Sequence, residues 1–383
     1  MSVLHMRLVP CFVVTVCLFG LGTEVRAQGC VASRMNAPGG PTDPQGNSYF
    51  LAKGQWQATF GFRQFHSHRH FVGSVEQNAE NLSAGRAERD RSTTEVENWV
   101  RIPELAVSYA VSDRLSVTAS LPILSADRKI PGSVFKEFGG IEDAPDIDTA
   151  SRGISDISVV GRFWLGATPG HGTQNASVGV GFKLPTGQTD VQDDVTRISA
   201  TGAPPVTTTS AVDQSIQPGD GGFGILAEVQ GFKLFGPVTT FAYGSYLFNP
   251  RGTNGVATGR SLPGEEIMSV ADQFAARIGV GAPLKFAPGL AVSLSARLEG
   301  VPVGDVFGSD EGFRRPGYSI AVEPGLSYSW KRTSISLSVP YLVRRVRNQS
   351  LADQDATVAR GHHVQGDAAF ADYIWVVGLS QRF

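Results

Sequence analysis

The chain has little cysteine, few charges and no long apolar run beyond its start. Of its 383 residues three are cysteines. Cys11 and Cys17 lie within residues 1–27, so the remainder keeps only Cys30 and can form no internal disulfide. Charged side chains make up 18% of the sequence, and 33 basic against 35 acidic residues leave a net charge of −2. That balance excludes the polycation expected of a nucleic-acid binder. After residue 27 no apolar stretch reaches the ~18 residues that a membrane helix requires. Catalytic signatures are missing as well: H-E-x-x-H, G-x-S-x-G, G-x-x-x-x-G-K-[ST] and C-x-x-C do not occur, so neither an enzymatic activity nor a cofactor is expected.

What is present begins with a leader. Met1 to Arg7 is short and weakly basic, Leu8 to Leu21 is apolar with small breaks, and Val25-Arg26-Ala27 precedes Gln28. This is the layout of a secretory signal peptide over residues 1–27. Beyond it, period-two alternation dominates. Trp56, Ala58, Phe60 and Phe62 interleave with Gln55, Gln57, Thr59, Gly61 and Arg63, which describes a strand with two unlike faces. The pattern returns in about twelve segments, centred near residues 60, 105, 119, 160, 180, 228, 243, 276, 295, 324, 339 and 377, each of ~10 to 13 residues, the length of a tilted strand crossing a bilayer.

The connections sort by length. Ser112-Asp113-Arg114, Gly236-Pro237 and Lys331-Arg332 read as tight hairpin turns, whereas residues 66–97, 125–153, 185–219, 249–268, 301–316 and 347–369 read as long polar loops. Short turns at one end and long loops at the other characterise outer-membrane barrels. Only closure satisfies every backbone group of a sheet in hydrocarbon. The expected fold is therefore all-β: a transmembrane antiparallel β-barrel over residues 54–383, in the outer membrane of a Gram-negative bacterium, with little helix. Residues 28–53 form either a periplasmic tail or a lumen plug. The last strand ends at Phe383, and a terminal aromatic resembles the signal read by the barrel assembly machinery.

Parity assigns the faces. Trp56, Tyr109, Tyr243, Tyr328, Trp330, Tyr341 and Trp375 are placed in interfacial girdles. Arg63, Glu104, Asp156, Arg162, Lys183, Glu228, Arg277, Arg297, Glu299, Glu323 and Arg344 are placed in the lumen, where both signs of charge either brace the wall or line a polar path. Twelve strands leave a narrow bore. Pro103, Pro324 and Pro340 mark places where the wall can kink. His66, His68 and His70 near the outer end of the first strand, and His362 and His363 in the last loop, fall at one rim. They are either a divalent-metal site or ligand-free polar residues.

Gly153-Ile154-Ser155-Asp156-Ile157 and Gly161-Arg162-Phe163, followed by Val178 to Phe182 and Lys183-Leu184-Pro185-Thr186-Gly187, carry a resemblance. They resemble the outer-membrane transporter-like proteins assigned to the MetA pathway of phenol degradation. The resemblance implies a barrel that passes small hydrophobic or aromatic compounds, and it carries no catalytic residues. The expected function is passive uptake of such a solute by a monomer embedded in outer-membrane lipid. The alternative is a structural or adhesive barrel with a closed lumen and ligand-binding loops.

Overall fold

The computed structural model describes residues 50–85, 96–133, 145–166, 172–197, 206–260 and 262–383. The 1–27 leader, and the 28–53 segment up to residue 49, lie outside the described residues. Fourteen strand segments build the wall: β1 (Trp56–Val72), β2 (Glu97–Ala110), β3 (Leu115–Ile130), β4 (Ile147–Ile154), β5 (Ser158–Trp164), β6 (Gln174–Lys183), β7 (Gly224–Phe235), β8 (Val238–Phe248), β9 (Gln273–Pro283), β10 (Leu290–Val301), β11 (Gly317–Trp330), β12 (Thr333–Ser338), β13 (Tyr341–Arg347) and β14 (Ala368–Arg382). Segments β4 and β5 are two halves of one stave, as are β12 and β13, so the staves number twelve, and each contains one of the sequence-predicted centres. All neighbours are antiparallel, and β14 closes on β1 from Gln57↔Arg382 to Phe71↔Ala368. Among the described residues the closure leaves one thinly paired stretch, between β13 and β14.

The three predicted turns join β2 to β3, β7 to β8 and β11 to β12. Gly236 (φ 59°) and Lys331 (φ 53°) take the left-handed conformation that a two-residue hairpin connection imposes. The staves are longer than the alternation suggests: β1 has 17 residues and β3 has 16. The outer ends of β2 and β3 likewise rise past the apolar belt, where the outward residues change from Leu105 and Ile123 to Trp99, Arg101, Asp127 and Lys129. A paired strand whose outer face has turned polar loses the contrast that marked it in sequence, so these ends read as loop. The last long loop also holds a helix, Leu351–Arg360, set by a capping box between Ser350 and Asp353 and ended by Gly361 at φ 70°. Ten residues are too few to show helical periodicity against a polar background.

Two staves are interrupted. Ser155-Asp156-Ile157 separates β4 from β5, and Val339-Pro340 separates β12 from β13. Pro340 thus breaks its stave, while Pro103 and Pro324 stay within continuous strands. In β13 the pairing slips from Ala321↔Leu342 to Ile320↔Arg344. This bulge reverses parity: Arg344 is exposed and opposes outward-facing Ile320, whereas Arg345 and Arg347 are buried opposite Ser319 and Gly317. Arg344 therefore leaves the lumenal set. Tyr243 moves the other way: it opposes lumenal Arg277 and is 6% exposed, so it belongs to the interior and not to a girdle. A single cysteine replacing Arg344 in the folded protein is expected to react readily with a polar maleimide, and one replacing Arg345 to stay protected. Equal labelling rates in mass spectrometry would remove the bulge.

Candidate functional site

The interior is layered. At the periplasmic end Trp164, Phe232 and Phe241 form an aromatic floor, and Phe50 from the N-terminal segment packs on it with ring centroids 4.5 Å from Trp164 and 5.8 Å from Phe232.

Above the floor lies a buried ionic band. Arg63 Nη2 donates to Glu299 Oε1 (3.1 Å), Arg297 Nη2 donates to Glu299 Oε2 (2.9 Å), and Arg277 Nε lies 3.0 Å from Glu323 Oε2 while donating to Ser295 (2.9 Å). Arg162 donates to Glu228 (2.6 Å), which also accepts from Tyr243 (3.0 Å). The predicted lumenal residues Arg63, Arg162, Glu228, Arg277, Arg297, Glu299 and Glu323 all belong to this band, and Glu104 shares their inward parity on β2. Opposite charges at contact distance neutralise one another, so the band crosses the lumen as a brace and offers no single-sign path.

Higher still, the same faces turn apolar. Phe65, Val100, Ile102, Leu124, Leu342, Phe370 and Ile374 line a chamber, and Val212 and Ile216 fill it at 1% and 0% exposure. These two residues come from the chain between β6 and β7, which leaves the wall, forms a hairpin (Gln192–Arg197 with Val206–Ala211) and turns inward through the 3₁₀ turn Gln214–Ile216. The inward turn departs at the broken stave. Asp156 accepts from Gly187 N (3.0 Å) and Asp220 N (3.2 Å), Thr186 Oγ1 accepts from Ile157 N (2.8 Å), and Lys183 pairs with Asp220, with Asp156 at 3.9 Å. The predicted Asp156 and Lys183 are brought together, but mainly through Asp220. The hydroxyls of Ser151 and Ser155 donate to the Ile216 and Pro218 carbonyls. Gly187 and Gly219 cross here: a Cβ on Gly187 would stand 2.7 Å from the Gly219 Cα, which only glycine avoids.

Over the chamber sits a cap. Arg315 grips Asp213 with both nitrogens (3.0 and 2.9 Å), and Arg128 and Arg260 stand 3.8 and 3.9 Å from the same carboxylate. Burial opposes the charge of Asp213, but Arg128 and Arg315 outweigh it and hold the carboxyl well below the usual range. Burial and the Arg315 charge push Arg260 down to about 10. A depressed carboxyl contributes stability that is full above its unfolded value, ~3.9, and is lost only as pH falls through the lower folded value.

The rim histidines do not converge. His66 stacks between His68 and Trp99 on the outer face and bonds Glu97 (3.0 Å); His70 is buried against Asp367 (2.6 Å) and the Val96 carbonyl (2.7 Å); His362 and His363 are exposed beyond the helix. Among the described residues no three His, Cys, Asp or Glu side chains are placed to hold a metal.

Sequence reasoning missed the chamber, Asp213 and Ile216. One signal was available: Phe65 and Phe71 sit at the parity of Arg63, so the lumenal face turns apolar along β1.

No model of a known protein family and no curated protein matches the sequence. The fold does match. The crystal structure of the COG4313 outer membrane channel from Pseudomonas putida F1 is similar at TM-score 0.53 and 8% identity, covering 87% of this chain and 97% of that one. The chain has the fold of an outer-membrane β-barrel. Looser likenesses are the CymD monoaromatic hydrocarbon channel (TM-score 0.41, 10% identity, 89% and 91% coverage) and the P. putida toluene transporter TodX (0.40, 11%, 89% and 93%).

Glu323→Ala leaves the buried Arg277 guanidinium without its carboxylate and is expected to cost about 3–5 kcal/mol. Removing Arg101, which pairs with Asp127 at the exposed rim, is expected to cost less than about 1 kcal/mol. Urea unfolding in lipid vesicles reads both; similar losses would mean that the band does not brace the wall.

Proposed function

We propose that this barrel is a channel through which small hydrophobic or aromatic compounds cross the outer membrane by passive diffusion, and that the structure is its closed state. The observation that carries the reading is the chamber. Apolar walls in the lumen need an apolar occupant to cover them, and Val212 and Ile216 supply it in this state, so an apolar solute that displaces them can cover the same surface. Straight passage below is barred by the ionic band, so the exit is sideways. Between β13 and β14 the ladder is reduced to Tyr341↔Tyr373. Above that pair β13 and β14 are unlaced, at the height of Leu342 and Phe370, up to where Arg347 bridges to Gly73 just past β1, and Arg345 spans the stretch to the Ala371 carbonyl (2.9 Å) and Asp372 (3.0 Å). On its outer side stand Tyr341, Val343 and Tyr373, all exposed.

The P. putida F1 structure, an outer membrane channel, agrees with this direction, whereas no family model bears out the resemblance to the MetA-pathway proteins. The barrel acts as a monomer in outer-membrane lipid, delivered by a cleaved leader, and its final strand, with Phe383 exposed, meets the barrel assembly machinery. Phe50 on the aromatic floor supports residues 28–53 as a plug of the periplasmic mouth. The neutralised, filled band favours a second reading, a structural or adhesive barrel that never opens.

Uptake separates them. Cells with an intact outer membrane that express the protein are expected to take up radiolabelled naphthalene severalfold faster than cells without it, and faster again when residues 212–217 are replaced by a Gly-Ser linker. If neither form exceeds the background, the channel reading fails and the closed barrel stands.

A further inference from the structure

Resting on the channel reading, we propose that the preferred solutes carry a carboxylate, and that the inward loop holds the chamber closed by occupying a binding site for an amphiphilic carboxylic acid. The loop itself has that shape. The Asp213 carboxylate sits on three guanidiniums, and the adjoining Val212 side chain and Ile216 three residues on are sunk in the apolar chamber. A charged head next to an apolar body is the outline of a benzoate or a short fatty acid.

The receiving groups are already set for such a head. Arg315 presents the two-pronged geometry that matches a carboxylate. Its guanidinium and that of Arg260 flank the Phe313 ring, with centroid distances of 4.7 and 3.8 Å, which fixes their planes without drawing on the carboxylate. Arg128 donates to Asn98 (3.0 Å) and stays aimed at the same point. Other acids are near: Glu265 lies 3.7 Å from Arg260, and Asp367, bonded to His70, lies within the field of Arg260 and Arg315. Those two carboxylates leave three guanidiniums one negative charge short, and Asp213 supplies it. A solute carboxylate can take its place with no net change of buried charge, whereas a neutral solute that displaces the loop strands the arginines.

The site also lies on the route, directly above the chamber, and sends the apolar body toward the unlaced β13–β14 seam. For the loop to yield, the bonds of its tip must open together with the Asp213 latch, namely Gln214 Nε2 to the Ser269 carbonyl (2.6 Å), Ser215 Oγ to Asn98 (3.4 Å) and the Ser151 hydroxyl to the Ile216 carbonyl, while the Asp156, Gly187 and Asp220 junction keeps it anchored.

Benzoate and benzyl alcohol, matched in size, are the probes, titrated by calorimetry into the full-length protein in detergent. Wild type is expected to bind benzoate more tightly than benzyl alcohol. Asp213→Asn frees the arginines and is expected to raise benzoate affinity at least about tenfold, the worth of one charge-assisted contact, with benzyl alcohol changed far less. Arg315→Met is expected to abolish the preference, and Arg315→Lys to retain part of it. Heat-modifiable migration in SDS gels verifies folding of each variant. If benzyl alcohol binds, or naphthalene enters cells, while benzoate shows no preference that follows Asp213 and Arg315, the carboxylate proposal is overturned and the channel reading survives. If neither probe binds and naphthalene uptake stays at background, both fall.

Discussion

A sheet in hydrocarbon must satisfy its own backbone. Every N–H and C=O left unpaired in the wall costs several kcal/mol, so the ladder that runs from β1 round to β14 is the constraint to which everything else answers. Its consequences show best where it is broken. At Ser155-Asp156-Ile157 backbone bonds remain from Ser155 N to the Pro122 carbonyl and from Leu184 N to the Ile157 carbonyl, and side chains take over beside them: Thr186 accepts the Ile157 amide, and Asp156 collects the amides of Gly187 and Asp220. At the second break the Arg345 guanidinium takes the Ala371 carbonyl that a strand neighbour would have taken. The two patches differ in consequence. The first gives the chain a way into the lumen; the second leaves a seam in the wall that a side chain, and not a backbone ladder, keeps shut.

Much of this architecture is written in the sequence because alternation is a direct image of two solvents. Where lipid lies on one side and a polar lumen on the other, as from Trp56 to Arg63 or from Leu290 to Glu299, side chains declare their faces one by one. Parity then places Arg277, Arg297, Glu299 and Glu323 together before any coordinates are known. The reading weakens wherever the contrast between the solvents does. The outer ends of β1 and β3 are polar on their outward faces and pass for loop. The chamber is apolar on the inside, so Phe65 and Ile102 carry no sign of which side they face. A one-residue bulge at Arg344 is silent in composition yet inverts everything after it. Tyr243 is amphipathic, and only its partner Glu228 distinguishes lumen from interface.

The Asp156 and Lys183 phrases illustrate what a motif encodes. Alternation alone accounts for the lumenal Lys183, but not for Gly187, whose place is fixed by a backbone crossing with Gly219 that admits no Cβ. Nor does it account for Thr186, a capping hydroxyl in a strand break. Residues 153–187 are thus legible as a pattern because several separate constraints fall on adjacent positions. The loop they release is less regular, since Val212, Asp213 and Ile216 are chosen to match a chamber assembled from strands far away in sequence.

Charge and apolarity divide the lumen between them in a way that bears on selectivity. An ionic band bridged by three carboxylates is rigid: separating Arg63 from Glu299 or Arg277 from Glu323 would leave buried charges unpaired, at several kcal/mol each. Exchange of one apolar occupant for another in the chamber carries no such penalty, because the walls bury similar area in either case. The two layers therefore differ in how easily they rearrange, with the stiff one toward the periplasm and the yielding one beneath the loops and beside the seam. On the proposed channel reading, a molecule that enters from outside meets first the cap, then the part of the lumen able to make room for it, and then the part that is not. Among the described residues the thinly paired β13–β14 seam is where the wall itself offers that molecule least resistance.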